Sequence, residues 1–301
     1  MQNVSGNQDA EFTDRMIELN WSNWIPLDSD LPTYQQYIAS TPGFYRVRAV
    51  GVEGLIYIGQ TGRSLRQRTR AELAKHVMRP LDSPPWNDPH TAAPSLWAFR
   101  HEDGMEFEVS VAVADDLTVQ MRQCYEDALL YLHRQEFGYS TLCNHGRRHP
   151  WWSRASNRKD RRPTHRLATP VEYPSLPVTK GDPDPSSNHW LGLSWAAFAN
   201  LPVKAPDLAG VYRLVKEGKL LYVGESRSLR SRLSKHSKDL RFLGCDASFH
   251  CMPDAPAHHL KERETDLIGS YLLHTKQSPL FQYSPLMRVD GEPPLSGDHS
   301  N

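Results

Sequence analysis

Gly43-Phe44-Tyr45-Arg46-Val47, a spacer, and then Leu55-Ile56-Tyr57-Ile58-Gly59-Gln60-Thr61-Gly62-Arg63-Ser64-Leu65-Arg66-Gln67-Arg68 form the stretch that decides the fold. It recurs as Gly210-Val211-Tyr212-Arg213-Leu214, a spacer, and Leu220-Leu221-Tyr222-Val223-Gly224-Glu225-Ser226-Arg227-Ser228-Leu229-Arg230-Ser231-Arg232. A repeated supersecondary unit dictates architecture before any single element is assigned, so the chain reads as two copies of one domain. The likeness starts earlier, in the lead-ins Trp24 to Pro32 and Trp195 to Pro202. It also runs on later, where Tyr125-Glu126-Asp127-Ala128-Leu129-Leu130 lines up with Arg263-Glu264-Thr265-Asp266-Leu267-Ile268.

Each copy reads as hairpin, helix, strand, helix. The hairpins are Gly43 to Ile58 and Gly210 to Val223, with Gly51 and Gly54, or Gly218, supplying the turn. Arg63 to His76 and Ser228 to Lys238 have helical patterns, with Ser64 and Ser228 as amino-terminal caps. Met105 to Ala114 alternates like a half-buried strand, and Ser248 to Met252 is its shorter counterpart. Helical patterns over Met121 to Gln135 and Leu260 to His274 close the copies. The first copy carries an insertion, Arg79 to Arg100, whose Pro, Trp and Asp content reads as a surface loop. The expected fold class is α+β: two domains, each a small, mainly antiparallel three-stranded sheet flanked by helices. The expected boundaries are 1–145, a basic Pro/Arg-rich linker at 146–188, and 189–301.

At these residues the chain resembles the GIY-YIG nuclease superfamily, which includes homing endonucleases, the incision subunit of bacterial excision repair and some restriction enzymes. The tripeptides stand here as Gly43-Phe44-Tyr45 with Tyr57-Ile58-Gly59, and as Gly210-Val211-Tyr212 with Tyr222-Val223-Gly224. The resemblance implies a metal-dependent DNA endonuclease using Mg²⁺ or Mn²⁺. By position it assigns the helix arginine to Arg68 and Arg232, and the metal-holding glutamate to Glu126 and Glu264. The later asparagine falls on Asn144, and the general base on Tyr45 or Tyr57 in one copy and Tyr212 or Tyr222 in the other. Gln282 stands where the second copy should have asparagine, which puts that site in question. The histidine that some members place one turn after the arginine is present as His236, whereas the first copy has Glu72 there and His76 a turn further on.

The chemistry explains the residue types. Attack on a phosphodiester concentrates negative charge on phosphate oxygens, so cations must be fixed where that charge grows. An arginine fork holds a phosphate bidentately, and one carboxylate suffices to hold a Mg²⁺ ion that keeps several waters. A phenol with pKa near about 10 is a poor base at neutral pH unless cations or a neighbouring base assist it. Arg66, Arg230, His76 and His236 are the candidates for that help.

Formal charge is zero, so any nucleic-acid contact depends on local distribution. Arg147, Arg148, Arg154, Arg158, Lys159, Arg161 and Arg162, interrupted by Trp151 and Trp152, suit a nucleic-acid strand; Arg66 and Arg230 join them as phosphate contacts. The opposing reading is a solvated linker whose tryptophans dock on a neighbouring domain. The four cysteines show no CxxC spacing, which argues against a disulfide framework or a structural zinc site. No run of eighteen apolar residues and no signal-like start occur, so a soluble, cytoplasmic protein is expected, bacterial or phage-related and nucleoid-associated. Double-stranded DNA is the expected partner, with no membrane and no small-molecule cofactor; a protein partner or homo-oligomer stays open. Two other functions remain in view: one catalytic copy beside a degenerate binding copy, and a nucleic-acid-binding protein without catalysis.

Overall fold

The computed structural model describes residues 17–86, 90–156, 162–201 and 204–284. The chain divides into two compact units, Met1–Arg122 with Leu132–Ser175, and Gln123–Tyr131 with Leu176–Asn301. The segment read as a linker is therefore shared out: 146–175 belongs to the first unit and 176–188 to the second.

The first unit holds β1 (Ile25–Pro26), α1 (Leu31–Tyr37), β2 (Gly43–Ala49), β3 (Tyr57–Thr61), a π-helix (Gln67–Ala74) running into α2 (Lys75–Val77), α3 (Ala93–Glu102) and β4 (Phe107–Val113). Helix α4 (Val119–Phe137) follows. The second unit holds β5 (Ala196–Phe198), β6 (Gly210–Lys216), β7 (Lys219–Ser226), α5 (Leu229–His236), β8 (Asp246–Cys251) and α6 (Ala257–Thr275). The α+β class stands, but each sheet has four strands and not three, in the orders β1-β4-β2-β3 and β5-β8-β6-β7. Neighbouring strands within both sheets pair antiparallel.

The added strand is the lead-in of each repeat. Ile25–Pro26 pairs with Val109 and Glu108, and Ala196–Phe198 pairs with Phe249, Ser248 and Ala247. Proline is tolerated in β1 because an edge strand need not donate on both sides. The lead-in tryptophans explain why so short a strand holds. The Arg46 guanidinium lies 4.3 Å from the Trp21 ring centre and 4.8 Å from that of Trp24, and Arg213 lies 4.8 Å from Trp195. Tyr45 and Tyr212 project from the opposite faces of those strands, because successive strand side chains alternate.

The insertion at Arg79 to Arg100 is not a surface loop. Ala92 to Phe99 is buried, and Ala93–Glu102 forms α3 with Pro94 in its first turn, where proline needs no hydrogen-bond donor. Trp97 is fully buried and meets Trp152 edge to face at 4.7 Å. The Trp152 indole donates to Glu102. Trp152 is thus a packing residue of the first unit, the docking reading of the tryptophans. Burying aromatic rings of this size is worth roughly 2–3 kcal/mol each. Among the described residues no helix is long and apolar enough to cross a membrane.

Candidate functional site

Both units present paired tyrosines through the same register. Tyr45 lies opposite Gly59 and Tyr57 opposite Val47; Tyr212 lies opposite Gly224 and Tyr222 opposite Leu214. The rings sit 5.9 Å apart in the first unit and 6.0 Å in the second. The glycines make this pairing possible. A side chain at Gly59 would overlap the Tyr45 hydroxyl and the Tyr57 ring, and one at Gly224 would do the same to Tyr212 and Tyr222.

A histidine nitrogen meets the first tyrosine of each pair. Tyr212 Oη lies 2.8 Å from His236 Nε2, one helical turn after Arg232 as the sequence suggested. In the first unit Tyr45 Oη lies 2.7 Å from Nε2 of His90, a residue of the insertion that sequence reasoning passed over. The His90 ring also faces Tyr57 edge-on at 5.3 Å, matching the 5.3 Å between Tyr222 and His236. Both imidazoles are buried and held neutral. Burial and the Arg68 charge push His90 well below the ordinary histidine value, and burial with Arg232 takes His236 down to about 4.

The arginines differ. Arg68 donates its Nε to Tyr45 Oη at 3.3 Å and its Nη1 to Glu72 at 2.7 Å, while Arg63 reaches the other Glu72 oxygen at 3.2 Å. Burial works against its charge, but Tyr45, Glu72 and Tyr57 hold the guanidinium firmly protonated. Arg232 is exposed and, among the described residues, forms no ion pair; it acts electrostatically on Tyr212, Tyr222 and Glu264.

Glu264 is half-buried beside this cluster. Burial, then Glu225 and Asp127, push its carboxyl up to about 8, against Lys261 and Arg232. Glu264 in turn raises both tyrosines: Tyr222 is pushed up to about 12 by burial and Glu264, and Tyr212 lies well above the usual phenol range through burial and Tyr222. Glu262, its neighbour in sequence, is fully buried and accepts the Leu176 backbone N–H at 2.7 Å, whereas Glu264 and Glu225 are the carboxylates that act on Tyr212. Glu126 is half-buried on α4 beside the buried Asp127, which accepts hydroxyl hydrogen bonds from Thr265 and Tyr283.

Asn144 is a brace, not a reacting group. Its Oδ1 accepts from Ile58 N at 3.0 Å and its Nδ2 donates to Ile58 O at 2.8 Å, so a buried amide imitates a neighbouring strand along the open edge of β3. Gln282 does the equivalent on β7, accepting from Val223 N at 3.0 Å while 2% exposed. The departure from asparagine that put the second site in question is therefore a substitution of one strand brace by another.

The expected nucleic-acid contacts sort unevenly. Arg66 and Arg230 hold corresponding loops, donating to Ile38 O at 2.9 Å and Ala205 O at 3.4 Å. Arg147 is buried, with its guanidinium on the Tyr173, Ser140 and Thr141 carbonyls, and Arg148 donates to the Tyr173 hydroxyl. Of these four, Arg147 is buried and serves as a brace, Arg66 and Arg148 are half-buried, and Arg230 is exposed. Arg154 and Arg162 are exposed; Arg158, Lys159 and Arg161 lie outside the described residues. A cavity of about 920 Å³ in the second unit, lined by Arg213, Ser248, Tyr271 and His274 among others, includes none of the tyrosine cluster.

Among the described residues no group of three or more His, Cys, Asp or Glu is arranged to hold a metal ion. Burial first, and then the Glu225 and Asp127 carboxylates, favour the protonated form of Glu264; a carboxylate oxygen is the donor type that a hard, largely hydrated cation takes. Set against protein-family models, curated proteins and solved structures, the chain matches none of them.

Proposed function

We propose that the chain is a GIY-YIG type endonuclease that hydrolyses phosphodiester bonds of double-stranded DNA, acting in the cytoplasm in restriction or phage defence. One observation carries the reading. A histidine nitrogen reaches the inner tyrosine oxygen at 2.7 and 2.8 Å in the two units, although the two histidines come from non-equivalent sequence positions. Ordinary packing does not call for that coincidence, whereas a shared need to control one phenol does.

In this reading the arginine receives the scissile phosphate, Arg232 from solvent and Arg68 by exchanging Glu72 for a phosphate oxygen. The tyrosine first loses its hydroxyl proton to solvent; the phenolate oxygen then takes a proton from water, the resulting hydroxide attacks phosphorus, and the bond to the leaving oxygen breaks with its electron pair on that oxygen, which solvent protonates. Glu264 would hold Mg²⁺ or Mn²⁺ in the second unit, and Glu126, its counterpart in the sequence repeat, lies in the Gln123–Tyr131 segment that also belongs to that unit; a bound ion would offset the charge gathering on the phosphate. Two such sites in one chain suit an intrachain pseudo-dimer that cuts both strands of a duplex. Incubating the protein with plasmid and with phage DNA plus Mg²⁺ or Mn²⁺, then sequencing the ends, tests this. Discrete metal-dependent ends support it, and intact DNA under both metals rejects it.

The ion pair between Arg68 and Glu72 favours a second reading, in which the second unit cuts and the first chiefly binds. Arg68→Ala that weakens binding without slowing bound-state cleavage would select it.

A further inference from the structure

His90 has a fixed tautomer. Its Nδ1 accepts the backbone N–H of Ala92 at 3.1 Å, and an imidazole nitrogen that accepts carries no proton. A neutral ring has one N–H, so the proton must sit on Nε2, the atom 2.7 Å from Tyr45 Oη. The side chain is 1% exposed, and its burial keeps it neutral. The Arg68 Nε–H is directed at the same oxygen at 3.3 Å.

We propose that His90 is a positioning residue whose Nε2–H donates to Tyr45, so that with Arg68 it favours the ionised form of Tyr45. Two N–H donors converging on one phenol oxygen favour its anion, since hydrogen bonds to a charged form stabilise that form. Among the groups facing the pair are Arg68, Glu72 and His76 from the helical segment and Tyr57 from β3. Tyr57 meets His90 ring to ring, in an edge-on contact. In the second unit Tyr212 has His236 beside it while Arg232 is exposed, and burial, then Tyr222, hold Tyr212 well above the usual phenol range. The insertion thus supplies what Glu72 displaced from the helix and adds a defined hydrogen-bond direction.

This assignment rests on the hydrolase reading only for the purpose of the anion; its test needs no DNA. Long-range ¹H–¹⁵N correlation spectra of the unmodified protein, assigned with His90→Gln, should show His90 Nε2 as the protonated nitrogen and Nδ1 as the bare one at neutral pH. In protein carrying ¹³Cζ-tyrosine, with Tyr45 assigned by Tyr45→Phe, His90→Leu should raise the Tyr45 midpoint by about one to two pH units. His90→Gln retains a donor and should raise it less. A proton on Nδ1, or a Tyr45 midpoint unmoved in a folded His90→Leu chain, overturns the proposal. DNA cleavage is scored separately, so a chain that cuts nothing while giving these spectra defeats the hydrolase reading and upholds this one.

Discussion

A methyl group at Gly59 or Gly224 would overlap a tyrosine hydroxyl that is already hydrogen-bonded to a buried histidine, so neither ring has a free direction in which to yield. Gly59→Ala and Gly224→Ala should each destabilise the fold by about 1–3 kcal/mol, read by urea unfolding. Either variant unfolding at the wild-type midpoint would mean that the rings move aside freely. The braces make a second residue-scale prediction. Gln282→Ala should cost about 1–3 kcal/mol because the buried Val223 N–H loses its acceptor, whereas Gln282→Asn should not improve the second unit. A more stable or more active Gln282→Asn chain would restore the idea that asparagine is needed there. His236 adds a pH dependence. Unfolded, it protonates near about 6.5; folded, only near about 4, so the unfolded state binds more protons between those values. Its contribution is present above pH 6.5 and is lost as pH falls toward 4, by at most about 1.4 kcal/mol per pH unit. Urea midpoints at a series of pH values should show a shallower acid loss for His236→Gln; an equal slope would mean that His236 titrates normally.

The two arginine-bearing helices show how one motif is built in two ways. In the second unit α5 is an ordinary α-helix, and His236 follows Arg232 on one face. In the first the segment Gln67–Ala74 winds as a π-helix, with the Lys75 N–H returning to Arg70 O, and Glu72 closes on Arg68. Such winding is uncommon and recurs at functional sites. Glu72→Gln should free the Arg68 guanidinium and tighten DNA binding, by a few-fold at low salt and less as salt rises, measured by fluorescence anisotropy. Unchanged affinity at all salt concentrations would show that Arg68 does not meet DNA. Legibility also divides by element. The hairpins, the third strand of each copy and the closing helices were readable because alternation and helical spacing survive in sequence. The lead-in strands were not: two or three residues, one of them Pro26, give no period, and they are held by tryptophan rings over arginines from another strand. Helix α3 was obscured because proline and tryptophan resemble loop composition until the burial of Ala92 to Phe99 is known.

For the whole chain, the repeat itself was the most legible feature, since matched positions recur in order across both halves. The tyrosines, Arg232, His236 and Glu264 were found from it, because their spacing survives within contiguous elements. His90 escaped it: it lies 45 residues from its tyrosine partner, in a segment with no counterpart in the other copy. Self-comparison reveals what two halves share and is blind to what one half has rerouted. The basic segment after Gly146 misled for the opposite reason, because charge in sequence does not tell whether a guanidinium faces solvent or carbonyls; Arg147 faces carbonyls. The central proposal is that two hydrolytic sites act in one chain. Its most direct test is the cleavage of supercoiled plasmid, with Mg²⁺ or Mn²⁺, by the wild-type chain, Glu126→Ala, Glu264→Ala and the double variant. The account predicts linear product from the wild type, nicked circles from each single variant and no cutting by the double variant. Linear product from the double variant, or intact plasmid with the wild type, would contradict it.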